Sequence, residues 1–296
     1  MMSMTRLSQT SLRPFVKMLW AVEASSGSQC VEGVREHVLP TGGTHLVFRL
    51  SDSPLRIFRG VEDACGQTFG HAIVGGVRST FYVRDISTLS CSVGALLHPG
   101  AAEALLGAGA DELSERHTPL FDLWGRAASL AHERLLAVNG AERRLAVFET
   151  LLTERLPVAT RWRPAIAHAI ERLESGENIR AVVADSGYSH RHFIALFRRA
   201  VGLSPRRYGR LVRFQQTLKL FTAGREMAFV DLAIDAGYSD QPHFNRAFRA
   251  FSGVTPGEYR KIAPVQPNHV WVNDPTRGQR DRGQFHSRLG VKTAVS

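Results

Sequence analysis

One pattern occurs twice in the C-terminal half of this 296-residue chain. The first copy reads Asp185-Ser-Gly-Tyr-Ser, then Phe193, Phe197, Gly202, Ser204-Pro205 and Tyr208. The second reads Asp235-Ala-Gly-Tyr-Ser, then Phe244, Phe248, Gly253, Thr255-Pro256 and Tyr259. The offset is 51 from Ser189/Asp240 through Tyr208/Tyr259 and 50 before it, so the second copy has one extra residue in its turn. Fixed spacing over this length implies one structural unit used twice.

Each unit reads as helix, turn, helix. A short helix (179–185, 229–235) runs into Gly187 or Gly237, where the absence of Cβ lets the chain turn sharply. Ser189 and Asp240 then stand where a side-chain oxygen caps the free N–H groups of a second helix. Phe193/Phe197 and Phe244/Phe248, four apart, form its inner stripe, and Gly202 or Gly253 suits a left-handed end. Ser204-Pro205 and Thr255-Pro256 open the next helices as an N-cap followed by proline, with Glu258 placed to complete a capping box. This is the helix-turn-helix arrangement.

The faces opposite the phenylalanines differ between the copies. The first presents Arg191, Ile194, Ala195 and Arg198; the second presents Pro242, Asn245, Arg246 and Arg249, with Gln241 at its start. Arginine pairs bidentately with guanine, asparagine or glutamine with adenine, and apolar groups meet thymine methyls. The candidate base-reading residues are therefore Arg191, Ile194, Ala195, Gln241, Asn245 and Arg246, and the candidate phosphate contacts are Arg198, Arg199 and Arg249. The second helix is expected to carry more of the hydrogen-bonded specificity. The aromatic pairs are structural on either reading. A linking helix over 204–221 would be roughly 27 Å long, comparable to the roughly 34 Å repeat that separates adjacent major grooves on one side of B-DNA.

Residues 162–262 resemble the DNA-binding domain of AraC/XylS-type transcription regulators. The residues that carry the likeness are the paired Gly-Tyr-Ser turns, Asp240-Gln241 with His243-Phe244-Asn245-Arg246-Ala247-Phe248-Arg249, and Gly253-Val-Thr-Pro256 with Tyr259-Arg260. The resemblance implies recognition helices at 190–200 and 241–251. Val183 departs from it, since a small residue is usual there and Ala233 is its counterpart. That change is expected to loosen the packing of the first unit.

Charge points the same way. Residues 161–296 hold 22 Lys+Arg against 11 Asp+Glu, a net +11, while residues 1–160 hold 15 against 16, a net −1. The whole basic excess lies in the half that carries the repeat, as expected for a polyanion binder. His190, His192 and His243 read as surface or helix-end residues rather than metal ligands. No apolar run approaches the length of a membrane span and no secretory signal opens the chain, so a cytoplasmic location is expected. Cys30, Cys65 and Cys91 are odd in number and lack CxxC spacing, which argues against a disulfide framework or a zinc site.

The N-terminal half has a different texture. Short β-branched and aromatic runs at 44–50, 55–59, 71–74, 80–83 and 88–97, separated by turn residues, predict antiparallel strands. From Gly100 the pattern becomes helical, over 101–106, 120–138 and 141–156. This half resembles the cupin-like sensor barrel of one group of AraC-type regulators, through Pro40-Thr-Gly-Gly-Thr44 with Leu46-Val-Phe48, and Gly94-Ala-Leu-Leu-His-Pro99-Gly100 with Leu105-Leu106-Gly107. Thr41 and His98 depart from that group's usual residues. The segment Phe121, Trp124, Ala128, Ala131 and Leu135 fits a dimer face or burial within the domain.

The expected fold is thus α+β in two domains. An antiparallel, cupin-like β barrel with helices spans 1–158, an all-α domain with two helix-turn-helix units on a long helix spans 159–262, and a mobile basic tail spans 263–296. The expected function is sequence-specific DNA-binding transcription regulation modulated by the N-terminal half. An oligomerisation module without a ligand, or a cupin-like metal enzyme fused to a DNA-binding domain, stay open as alternatives. His37, His45, His71 and His98 occur singly, so neither a metal nor another cofactor is expected and no catalytic residue is named. Candidate partners are double-stranded DNA, a small-molecule effector, RNA polymerase and a second copy of the chain, with no membrane among them.

Overall fold

The computed structural model describes residues 2–8, 11–23, 34–60, 62–87, 91–157, 164–222, 227–264 and 266–273. The strands of the N-terminal half are β1 (Met2–Arg6), β2 (Val16–Glu23), β3 (Arg35–Val38), β4 (His45–Arg49), β5 (Arg56–Phe58), β6 (Gln67–Thr68), β7 (Ala72–Gly75), β8 (Tyr82–Asp85) and β9 (Ser92–Leu97). Helices α1 (Ala101–Leu106) and α2 (Ala110–Leu113) follow, then strand β10 (His117–Pro119), then α3 (Phe121–Trp124), α4 (Arg126–Leu136) and α5 (Ala141–Thr153). The helical half comprises α6 (Pro164–Glu174), α7 (Ile179–Asp185), α8 (His190–Val201), α9 (Pro205–Thr222), α10 (Phe229–Asp235), α11 (Gln241–Ser252) and α12 (Pro256–Ile262), and a last strand, β11 (His269–Asn273), comes after them.

The strands form two antiparallel sheets, ordered β1-β2-β9-β4-β7-β10 and β11-β3-β8-β5-β6. Ile57 and Tyr82 of the second meet Ile73 of the first, so the sheets lie face to face. Among the described residues no ladder joins one sheet to the other, and the expected barrel is a two-sheet structure. Helices α1 to α5 cover the other face of the six-stranded sheet, where Leu46, Phe48, Val93 and Ala95 meet Leu105, Leu135, Leu145 and Phe148 in one core.

Three expectations change here. The helix over 120–138 is interrupted at Gly125, whose φ of 55° and ψ of −137° lie outside the helical region. Of the candidate dimer face, Trp124, Ala128, Ala131 and Leu135 are buried within the domain, with the Trp124 indole N–H donating to the Leu105 carbonyl at 3.1 Å; Phe121 is 60% exposed. The tail from 263 is not wholly mobile. β11 pairs antiparallel with β3, His269 opposite Val38, and becomes an edge strand of the N-terminal sheet. Residues 274–296, 158–163, 88–90 of the expected 88–97 strand, and Cys30 lie outside the described residues.

Several bonds hold β11 in place. Val270 is fully buried in the core of the helical domain, Leu39 N–H donates to the Asn268 carbonyl at 2.8 Å, and the Tyr259 hydroxyl donates to the Pro267 carbonyl at 2.8 Å. A truncation ending at Ala263 is expected to cost about 1.5–3 kcal/mol from the loss of buried Val270 alone. Urea unfolding of the two lengths would show it, and equal midpoints would mean that β11 adds nothing to stability.

Candidate nucleic-acid interface

The two units fold alike because the same local chemistry recurs. Gly187 and Gly237 take φ of 73° and 72°, the left-handed conformation that lets α7 turn into α8 and α10 into α11. The Ser189 hydroxyl accepts from His192 N–H at 3.4 Å, and an Asp240 carboxylate oxygen accepts from His243 N–H at 2.7 Å. That bond, with the Ser239 hydroxyl, holds the Asp240 carboxyl below its ordinary range. Thr255 and Glu258 form the reciprocal capping box. Arg172 clips α6 to α7 through ion pairs with Glu177 at 2.6 Å and Asp185 at 2.8 Å.

Both units rest on α9. Phe193, Phe197, Phe214, Phe244 and Phe248 are all fully buried in one core, and Tyr208 joins them while its hydroxyl donates to Glu174 at 2.8 Å. Phe248 lies 5.4 Å from Phe214, 5.5 Å from Phe221 and 5.4 Å from Tyr259 between ring centroids. Val183 is 7% exposed and packs in this core beside Val182, so the first unit accommodates the larger side chain.

With that face sealed, the opposite faces of α8 and α11 are turned outward. Arg191, Ala195 and Arg198 on α8 and Arg246 and Arg249 on α11 are exposed, while Ile194, Gln241 and Asn245 are half-buried. His190 and His192 are exposed, and the half-buried His243 ring is 3.1 Å from the Ser239 hydroxyl. No cluster of three metal-ligating side chains occurs among the described residues. Arg199 is the exception within the predicted set. It forms an ion pair with Glu103 of α1 at 2.7 Å, so it faces the N-terminal domain.

That contact is part of a larger one, which the sequence did not announce. The C-terminal ends of both outward-facing helices are held by the N-terminal domain. At α8, Gly100 N–H donates to the Ala200 carbonyl at 2.7 Å, and a Cβ on Gly202 would lie 2.3 Å from Val77 and 2.7 Å from the Ala110 carbonyl oxygen. At α11, the His37 ring Nδ1 lies 2.9 Å from the Ser252 carbonyl oxygen, and a Cβ on Gly253 would lie 2.6 Å from both His37 and Phe81. The two glycines thus permit helix termination and domain contact together. The only sequence signal for this was glycine at both positions.

Two capped helix-turn-helix units on one linking helix define a bipartite helix-turn-helix domain. Residues 186–262 match the family model of a helix-turn-helix domain, and residues 5–119 match a domain of unknown function. The transcriptional regulator MtrA of Neisseria gonorrhoeae is 30% identical over 96 residues, covering 32% of this chain and 32% of that protein. The arabinose operon regulatory protein of Escherichia coli is 28% identical over 167 residues, covering 53% of this chain and 57% of that protein. The chain therefore spans between a third and somewhat over half the length of these relatives. The crystal structure of ToxT from Vibrio cholerae is superposable with a TM-score of 0.43 and 9% identity over 88% of this chain and 98% of that one. The chain thus carries a helix-turn-helix domain over residues 186–262, and the relatives it resembles there are named as regulatory proteins of transcription or of an operon. No described helix is long and apolar enough to cross a membrane.

Proposed function

We propose that the protein is a sequence-specific, DNA-binding transcription regulator that places α8 and α11 in adjacent major grooves of one duplex. The observation that carries this reading is the paired geometry: two helices sealed on one face by a common core and outward on the other, joined by an 18-residue helix. Phosphate contacts from Arg198 and Arg249 would set the docking, and base edges would be read by Arg191, Ile194 and Ala195 on one helix and by Gln241, Asn245 and Arg246 on the other. Arg199 reaches a phosphate only when Glu103 releases it. That ion pair is more than half exposed on both sides, so its release costs little. The mechanism is non-covalent binding in the cytoplasm, with the N-terminal domain as sensor or assembly module.

Footprinting with the purified protein on DNA flanking its own gene tests the reading. Protection over roughly two helical turns per subunit is expected, and no protection on any flanking or random genomic fragment would sink it. Two substitutions then divide the roles. Arg246→Ala is expected to cost about 1–3 kcal/mol on the specific site and much less on random DNA, and equal losses on both would remove Arg246 from the base readers. Arg249→Ala is expected to weaken both alike and to lower the salt dependence by about one ion, measured as the slope of log affinity against log salt.

A further inference from the structure

The two helix-turn-helix units differ at one charged position that neither the caps nor the core explains. In the second unit Glu258, the third residue of α12, is the acid of the capping box. Its carboxylate accepts from the Thr255 backbone N–H at 2.7 Å and from the Thr255 hydroxyl at 2.8 Å. Those bonds first, and then the positive field of Arg249 and Lys261, hold the Glu258 carboxyl below its ordinary range. The matching residue of the first unit, at the same offset of 51, is Arg207, and the residue matching Arg249 is Arg198. Where the second unit sets a carboxylate in the field of its arginine, the first sets another arginine. The first turn of α9 contains no acidic residue, and cations there oppose the helix dipole.

Arg198 and Arg207 line one cleft of about 330 Å³, with Gly202, Leu203 and Ser204 between them and Ser114 of the N-terminal domain as the remaining wall. Both arginines are exposed, and neither has an ion pair among the described residues. The neighbouring carboxylates are engaged elsewhere: Glu103 with Arg199, Glu112 with the Gly109 N–H at 3.0 Å, and Glu115 with the Ser79 backbone N–H at 3.0 Å. The Ser114 wall is firmly placed. Glu115 beside it takes a φ of 60°, a left-handed conformation that a non-glycine residue adopts only with support, and its N–H donates to the Val77 carbonyl at 2.9 Å. Val77 and Ala110 are also the groups that close on Gly202, so the contacts that dock the domains hold Ser114 against the end of α8. Arg191, Ala195 and Arg198, four and then three residues apart, share the outward face of α8, and the cleft therefore adjoins the reading face.

We infer that this cleft seats one phosphate of the DNA backbone, gripped by Arg198 and Arg207, with Ser114 of the N-terminal domain at its edge. A phosphate there gives the first unit the negative charge that Glu258 gives the second. Two guanidinium groups suit it, because their planar forks make charge-assisted bonds to phosphate oxygens. The first unit thus holds the backbone more firmly, while the second reads bases through Gln241, Asn245 and Arg246. The duplex also meets the N-terminal domain at Ser114, so its affinity registers how the two domains are docked. The inference rests on the reading of α8 and α11 as DNA-binding helices.

The test is titration of the full chain into a labelled random-sequence duplex, followed by fluorescence anisotropy over a range of salt concentrations. Arg207→Glu is expected to weaken binding at least about tenfold near about 0.1 M salt and to flatten the slope of log affinity against log salt by about one. Its thermal unfolding is expected to stay level or rise, because the acid can complete a capping box with Ser204. Ser114→Lys is expected to tighten binding severalfold and to steepen the slope by about one, a gain that a damaged fold would not give. The same change at the exposed Ser129 of α4, a helix packed on α3, α5 and β7, is expected to do neither. Arg207→Glu binding like the parent, or Ser114→Lys binding no more tightly than Ser129→Lys, overturns the proposal. Inorganic pyrophosphate tells the backbone from a free phosphorylated molecule. If about 1 mM pyrophosphate raises the unfolding temperature of the parent and not of Arg207→Glu, while both bind the duplex equally, the occupant is a small phosphate compound and the backbone assignment is wrong. A parent that binds no duplex at any salt overturns the DNA reading as well, which separates that failure from failure of the seat alone.

Discussion

Replacing Phe248 with alanine is expected to cost about 3–5 kcal/mol and to abolish DNA binding by both units. Phe248 is fully buried where α9, α11 and α12 converge, within 5.5 Å of the Phe214, Phe221 and Tyr259 rings and 5.8 Å of Phe244. Alanine leaves a cavity among four rings that cannot all move inward, because they are fixed on three packed helices, α9, α11 and α12. The loss is therefore expected at the upper end of the range for large-to-small changes. It should also reach the first unit, since Phe214 belongs to the helix that supports both. Thermal unfolding followed by circular dichroism, together with a gel-shift assay, checks this. A variant that lost less than about 1 kcal/mol would show that the two units are not held by a common core.

A second large effect is expected with acid. An imidazole in an unfolded chain titrates near about 6.5, whereas the fold holds His45 at about 4 and His117 at about 3. Above about pH 6.5 both groups are neutral whether folded or not, and the fold keeps its full stability. As the pH falls below that value the unfolded chain takes up protons that the folded one refuses, so stability falls until the folded values are reached. From pH 7 to pH 5 the loss is about 2 kcal/mol for each histidine. Glu36 acts in the same direction at lower pH. Burial alone would raise it, but Arg84 and His269 hold it at about 2, so its contribution is present above about 4.5 and is lost as the pH falls toward 2. Urea midpoints at pH 7 and pH 5 for the parent and for a His45→Gln, His117→Gln double variant measure the effect. A parent midpoint that stayed level between these pH values would contradict it.

The repeat made the helical half readable at the level of single caps. Ser189, Asp240, Thr255, Gly202 and Gly253 all act in positions implied by their spacing, because caps and turns depend on nearest neighbours along the chain. The candidate reading faces were legible for the same reason, being the remainder once the phenylalanines are assigned to the core. Strands β4, β5, β7, β8 and β9 were visible as short apolar runs. β2 was not, since both of its faces meet other layers and its period of two is blurred. β3 was hidden by Glu36 and His37, whose partners His269 and Ser252 come more than 200 residues later. β11 looked like tail for the converse reason: His269 to Asn273 is a strand only because β3 offers it an edge. Arg199 sits on α8 like the other candidate phosphate contact of the first unit, Arg198, but its partner Glu103 comes from another domain, which the sequence of α8 alone does not reveal.

The return of β11 to the five-stranded sheet joins the two halves of the molecule at two places, through the chain before α6 and through the strand after α12. A body attached at one point can swing in any direction, but one attached at two is left with a single axis, like a door on a pair of hinges. Any rearrangement that separates α8 from α1 while β11 stays paired must therefore be a rotation past that strand, with α11 moving least. The spacing between the two outward helices would be kept and only their tilt against the N-terminal domain would change.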